Sequence, residues 1–242
     1  MRSYKTTGII LSRTNLGEAD RILTILTRDR GMIRVVGKGL RRAKSKLAGH
    51  LEPFNESELM LVKGKSMDVL TSARLVKLPA TLVGDYEQLR QAYLFSEIVA
   101  KLGGENQHHD GLYELLATSL AELDRGQAGP TLELWFKLGL LDKLGYRPAL
   151  EGCMICKASD DQRGYRFNLE LGGIVDDGCS TAGNLPMDQT QIKLWRIMLS
   201  RPPETIREIA DIAKLSSEGL VICNAFYDYT FGKRFRSEQV LA

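Results

Sequence analysis

Two stretches of the chain hold side chains able to do chemistry. The first is residues 30–51, which carry seven basic side chains (Arg30, Arg34, Lys38, Arg41, Arg42, Lys44 and Lys46) and no acidic one. Cations at that density attract phosphate, and Gly37 and Gly39 would let the main chain approach it closely. Turn geometry explains the two glycines equally well, and a solvated basic loop would have the same composition. The segment is expected to present mobile positive charge at the end of a rigid strand. The second stretch holds Cys153-Met-Ile-Cys156, with Cys179 further on. In a reducing compartment a Cys-x-x-Cys pair is a metal or redox site sooner than a disulfide. No Walker loop, nucleophile elbow or His-Glu-x-x-His helix is present, so no catalytic constellation emerges and the chain is expected not to be an enzyme.

Composition narrows the partners. A chain of 242 residues can bury a sizeable core as one or two domains. No apolar run approaches the roughly 18–20 residues that span a membrane. The start, Met-Arg-Ser-Tyr-Lys-Thr-Thr-Gly, lacks the apolar core of a secretory signal, so a cytoplasmic location is expected. The net charge of +3 hides a polarity: residues 1–80 hold 16 Lys and Arg against 7 Asp and Glu, the remainder 17 against 23. The first third is therefore at +9 and the rest at −6, an asymmetry that favours nucleic acid or an acidic peptide as partner.

Strands must position the basic segment. Residues 4–12, 20–27 and 32–36 are rich in β-formers and are separated by turn signals at Gly17 and at Asp29-Arg30-Gly31. Residues 56–62 and 67–76 follow, joined by Lys63-Gly-Lys-Ser66. Five short strands with a long connection between the third and fourth fit a small closed barrel. The OB-fold is the best-known barrel of that strand count, and an SH3-like barrel fits the periodicity too. The basic segment would lie on the third strand and that long connection.

From Lys77 the apolar period changes from 2 to 3.6. Leu82, Val83, Tyr86, Leu89, Tyr93, Leu94, Ile98 and Leu102 form one helical stripe, ended by Gly103-Gly104. A second helix spans residues 111–124, and Pro130 opens a third in which Leu134, Trp135, Leu138, Leu141 and Leu144 face inward. Residues 150–183 interrupt the helical pattern, which returns at 187–200, 203–213 and 217–231. Cys223, on the apolar stripe of the last helix, reads as a buried small hydrophobe. The expected organisation is α+β: a barrel domain over residues 1–80, then a helical domain over 81–242 with a Cys-rich insertion at about 150–183.

One segment is specific enough to name a family. Gly17-Glu-Ala-Asp-Arg-Ile-Leu-Thr-Ile-Leu-Thr27, then Gly31, then Gly37-Lys-Gly-Leu-Arg-Arg-Ala-Lys-Ser-Lys-Leu-Ala-Gly49 and Leu51-Glu-Pro-Phe54 closely resemble the N-terminal pattern of the bacterial recombination mediators of the RecO family. The wider order of barrel, helical domain and cysteine-bearing insertion is similar across essentially the whole chain. The resemblance implies an OB-type barrel followed by an α-helical domain with a small zinc-ribbon-like insertion. It implies a non-enzymatic DNA-repair protein of the RecF pathway that binds single- and double-stranded DNA and anneals complementary strands. With the partner RecR, such proteins help load RecA onto DNA coated by single-strand-binding protein. A groove on their helical domain takes the acidic C-terminal tail of single-strand-binding protein.

Against that family the candidate sites become concrete. Arg34, Lys38, Arg41, Arg42, Lys44 and Lys46 would contact DNA. Tyr4 and Phe54 are the only aromatic residues among the first eighty, so phosphate contact is expected to dominate over base stacking. Many members carry two Cys-x-x-Cys knuckles, whereas the second knuckle here reads Asp176-Asp-Gly-Cys179, with Asp176 in a cysteine position. Nineteen residues separate Cys156 from Asp176, a usual gap for such sites. A carboxylate oxygen can ligate zinc, so Cys153, Cys156, Asp176 and Cys179 are expected to hold a structural zinc ion. The competing reading is a relic that no longer binds metal. Lys233-Arg-Phe-Arg236, beside Phe226, Tyr227, Tyr229 and Phe231, forms a second cationic-aromatic patch and a candidate seat for the acidic tail. The alternative function, from another class, is a scaffold whose basic barrel grips an acidic peptide without acting on DNA.

Overall fold

Side chains alternating along the first five strands sort into a dry interior and a wet exterior. In the computed structural model, which describes residues 3–159 and 164–232, these strands are β1 (Ser3–Leu16), β2 (Asp20–Thr27), β3 (Gly31–Gly37), β4 (Glu56–Val62) and β5 (Asp68–Lys77). They form a closed barrel in the order β1-β2-β3-β5-β4. β1 and β4 close it antiparallel, with Ser3 opposite Val62, while β3 and β5 run parallel, with Val35 opposite Asp68. That is the OB arrangement, chosen over the SH3-like one by the β3–β5 crossover. Ile10, Leu23, Ile25, Ile33, Val35, Leu59, Leu61 and Leu70 fill the interior. β1 runs longer than its local signals suggest because it serves two neighbours, β4 through Ile9 and β2 from Gly8. A register shift between Ile10 and Ser12 lets it bend from one to the other.

The chain divides into two compact units between Gln127 and Ala128. The barrel's unit therefore includes α1 (Tyr86–Leu102) and α2 (Leu112–Asp124). Asp85 caps α1, its Oδ1 accepting the Gln88 N–H at 2.9 Å. The helix buries Ala92, Leu94, Phe95, Ile98 and Val99, whereas Tyr86 and Tyr93 are exposed. This corrects the stripe expected from spacing. Tyr93 lies at the rim with its ring edge-on to Phe54, centroids 4.8 Å apart, an arrangement that leaves a tyrosine hydroxyl near water. The unit is further tied by Tyr113, whose hydroxyl donates to Glu56 Oε1 at 2.7 Å, and by Thr81, whose N–H donates to Asp124 Oδ1 at 2.8 Å.

In the second unit α3 (Pro130–Lys143) packs against α4 (Gln189–Ser200) and α6 (Ile212–Phe231), with one turn of helix, α5 (Pro203–Ile206), between the latter two. Two neighbours leave α3 buried on most sides: Leu132, Leu134, Phe136, Leu138, Leu140 and Leu141 are all buried, while Trp135 and Leu144 are half-buried. Even Lys137 is buried, with its Nζ 2.9 Å from Glu133 and 2.7 Å from Asn224 Oδ1, as an interior charge requires. α6 starts at Ile212 and not at 217, behind Asp211 in a left-handed conformation (φ +54°). Cys223 on α6 is fully buried. Between α3 and α4 stand three short strands, β6 (Tyr165–Asn168), β7 (Gly173–Asp176) and β8 (Leu185–Pro186), in the order β7-β6-β8. The basic run 233–236 lies outside the described residues. Among the described residues no helix is long and apolar enough to cross a membrane.

Candidate nucleic-acid interface and cysteine cluster

The connection after β3 contains three leucines, Leu40, Leu47 and Leu51, and these decide its shape. Leu40 and Leu51 are 3% and 1% exposed in the barrel core, and Leu47 packs against it. Leu40 lies so close over Gly37 that a Cβ there would sit 2.1 Å from its Cδ1, which accounts for the glycine by packing. Main-chain bonds fix the rest. The Gly39 N–H donates to Asp20 Oδ1 at 2.7 Å and the Arg41 N–H to Ala19 O at 2.9 Å. Ser57 Oγ donates to His50 O at 2.6 Å and Asn55 Nδ2 to Gly49 O at 3.0 Å.

With the leucines turned in, the charges are left outside. Lys38, Arg41, Arg42, Lys44 and Lys46 are exposed, as is Arg34 on the outer face of β3. Among the described residues none of the six has a carboxylate within ion-pair distance, and the Arg41 guanidinium donates to Gly17 O at 2.6 Å. The positive charge is therefore uncompensated yet anchored, which corrects the expectation of a mobile arm. Substituting Leu40→Ala removes the anchor; it is expected to cost about 2–5 kcal/mol, read as a lower urea midpoint with an unchanged slope.

The two barrel aromatics have other employment. Phe54 is buried against Tyr93. Tyr4 donates its hydroxyl to Asp68 Oδ2 at 2.5 Å, and burial followed by that bond pushes its phenol pKa up. The Arg30 guanidinium lies 4.3 Å from its ring centroid and the Lys63 ammonium 5.1 Å. The sequence places Arg30 in the basic segment but gives no reason to group it with Tyr4, Lys63 and Asp68, since only the closed barrel brings positions 4, 30, 63 and 68 together.

In the second unit the cysteines converge. The sulfurs of Cys153, Cys156 and Cys179 all lie within 4.8 Å of one another. A tetrahedral zinc with Zn–S bonds of about 2.3 Å would set them about 3.8 Å apart, so the cluster fits such an ion. Main-chain N–H groups of Asp176 (3.3 Å) and Cys156 (3.5 Å) point at the Cys153 sulfur. Burial alone would raise the Cys153 thiol, but the N–H groups of Asp176, Cys156 and Ile155 outweigh it and bring it to about 6. Cys179 is pushed up to about 11, first by its hydrogen bond with Cys156 and then by burial. Three thiols this close resist sharing several negative charges unless a cation joins them.

Asp176 stands beside this cluster and is not gathered into it. Its Oδ1 accepts the Gly178 N–H at 2.7 Å and so caps the turn that carries Cys179. The structure thus brings together three of the four expected ligands.

Residues 1–79 match the family described as Recombination protein O N terminal, and residues 83–239 the one described as Recombination protein O C terminal. The chain belongs to the RecO family. Curated RecO relatives agree along most of their length. The DNA repair protein RecO of Thermobifida fusca is 34% identical over 224 residues, covering 91% of each chain. That of Roseiflexus sp. is 36% identical over 210 residues, 86% of this chain and 74% of the relative. That of Dehalococcoides mccartyi strain 195 is 32% identical over 194 residues, 80% and 77% of the two chains. The RecO N-terminal match ends where the barrel does, at the change from strand to helix.

Proposed function

We propose that this chain is a DNA-repair recombination mediator of the RecF pathway. It binds single- and double-stranded DNA through Arg34, Lys38, Arg41, Arg42, Lys44 and Lys46 and anneals complementary strands. With RecR it helps load RecA onto DNA coated by single-strand-binding protein. The observation that carries this reading is the set of six cations, unpaired among the described residues, on a closed OB barrel of a RecO-family chain. Two DNA strands repel each other through their phosphates. A surface that takes up those phosphates releases their counterions and lowers the repulsion, so strands meet more often. Annealing makes and breaks no covalent bond, so the absence of a catalytic constellation is no obstacle.

The cysteine cluster has a structural part in this proposal. Zinc would be held by the thiolates of Cys153, Cys156 and Cys179, with a carboxylate oxygen of Asp176 as fourth donor, and would supply a cross-link between the two knuckles. Asp176 keeps its place because its main chain is already bonded to the Cys153 sulfur.

The test of the mediator reading is annealing of two complementary oligonucleotides, one carrying a fluorophore and the other a quencher. The purified chain is expected to speed quenching at low salt and to lose that effect as salt rises. No acceleration at any salt would overturn the proposal and leave the acidic-peptide scaffold in its place.

A further inference from the structure

Tyr4, Arg30, Arg34, Lys63 and Asp68 border a cleft of about 450 Å³ in the flank of the barrel, completed by Glu105 and Asn106. Its volume lies in the range of small-molecule sites, about 300–1,000 Å³. Three cations line it, and their placement is built in. The Arg30 guanidinium is held over the Tyr4 ring at 4.3 Å, with its Nε 3.3 Å from Asp29 Oδ2. Asp29 is itself hydrogen-bonded by the Thr6 hydroxyl. The turn is pinned as well: the Arg30 N–H donates to Thr27 Oγ1 at 3.1 Å, and a Cβ on Gly31 (φ +68°) would fall 1.8 Å from Gln107 O. Lys63 is 3.2 Å from Asp68 Oδ2 and 5.1 Å from the Tyr4 ring. Arg34 has no carboxylate partner among the described residues.

We infer that this cleft is a subsite for one nucleotide of an unpaired DNA strand, the base against the Arg30 guanidinium and the phosphate on Arg34 and Lys63. The inference rests on the DNA-binding reading above and deepens it. A planar guanidinium stacks on an exposed base much as an aromatic ring does. Glu105 and Asn106 offer hydrogen-bonding groups to the base edge. A base paired within a duplex has no free face to present, so the subsite serves single strands. Arg34 joins the cleft to the basic connection. Ile33 and Val35 face the core, so alternation sets Arg34 and Val36 on the outer face, with Lys38 next in line. Four residues of strand span about 13 Å, a path a strand can follow from the connection into the cleft.

The test is fluorescence anisotropy of the full chain and its Arg30→Lys variant with three probes: an oligo(dT), an abasic oligomer with the same number of phosphates, and a blunt duplex. Lysine keeps the charge and removes the plane. The variant is expected to bind oligo(dT) roughly five-fold more weakly or worse, with abasic and duplex binding and the salt slope unchanged. Parental affinity of the variant for oligo(dT), or an equal loss on oligo(dT) and the abasic oligomer, would overturn the subsite. Either outcome leaves the basic connection standing, since that reading predicts abasic binding by the parent chain. Failure of the parent to bind any probe would overturn both.

Discussion

Replacing Arg41, Arg42, Lys44 and Lys46 together by glutamine should reduce the slope of log K against log salt by about 3. Each lost phosphate contact accounts for about 0.7 on a single strand and about 0.9 on a duplex. At about 50 mM salt the affinity should fall on the order of a hundred- to a thousandfold, and the gap should narrow as salt rises. The fold should survive, because the four side chains are exposed while Leu40, Leu47 and Leu51 still anchor the connection. Only Arg41 makes a contact that matters locally, its bond to Gly17 O, so a matching urea midpoint is the control. An unchanged salt slope in a correctly folded variant would remove the connection from the DNA site.

Metal analysis of the purified chain should give about one equivalent of zinc, and Cys153→Ser should abolish it. Cys153 is the buried member of the trio and receives the two N–H···S bonds, so no neighbour can replace it. Structural zinc sites in small finger peptides are worth about 10–16 kcal/mol of apparent binding energy. The helices have a core that needs no metal, which Phe167 of the insertion joins, its ring centroid 5.5 Å from that of Trp195 and 5.2 Å from that of Phe226. Chelation should therefore expose residues 150–183 to protease before the rest of the chain unfolds. Zinc needs deprotonated sulfur, and Cys179 is the thiol pushed up to about 11. Its proton must leave on binding, so occupancy should fall as pH falls. Asp176→Ala should lower the content if the carboxylate is the fourth donor; a full equivalent in that variant assigns the fourth position to water. Less than a tenth of an equivalent in the parent chain ends the idea of a zinc site.

Much of the fold was legible because it is local. Period-two stretches, the turn at Asp29-Arg30-Gly31 and the return to period 3.6 after Lys77 are properties of neighbours along the chain, and the elements they announced are present, except that the helix expected over 203–213 is a single turn, Pro203–Ile206. The cysteine spacing likewise announced three sulfurs that meet. The faces of helices were less legible, because a stripe of spacing does not say how many neighbours a helix has. α1 buries Ala92 and Phe95 and leaves Tyr93 at a rim, while α3, held between α4 and α6, buries even Lys137.

By itself the sequence determined that a strongly basic, strand-rich third precedes helices and a cysteine insertion, and that basic side chains concentrate in residues 30–46. Tertiary structure alone decided that this charge is anchored, since Leu40, Leu47 and Leu51 stand at helical spacing in a segment made mostly of turns and reveal their direction only once there is a barrel to enter. It alone set the Asp176 Oδ1 on the Gly178 N–H, beside the group of three thiols. It alone built the cleft around Tyr4, Arg30 and Lys63. Those residues become neighbours when β1 closes on β4 and β3 crosses to β5, pairings between distant segments that no local pattern encodes.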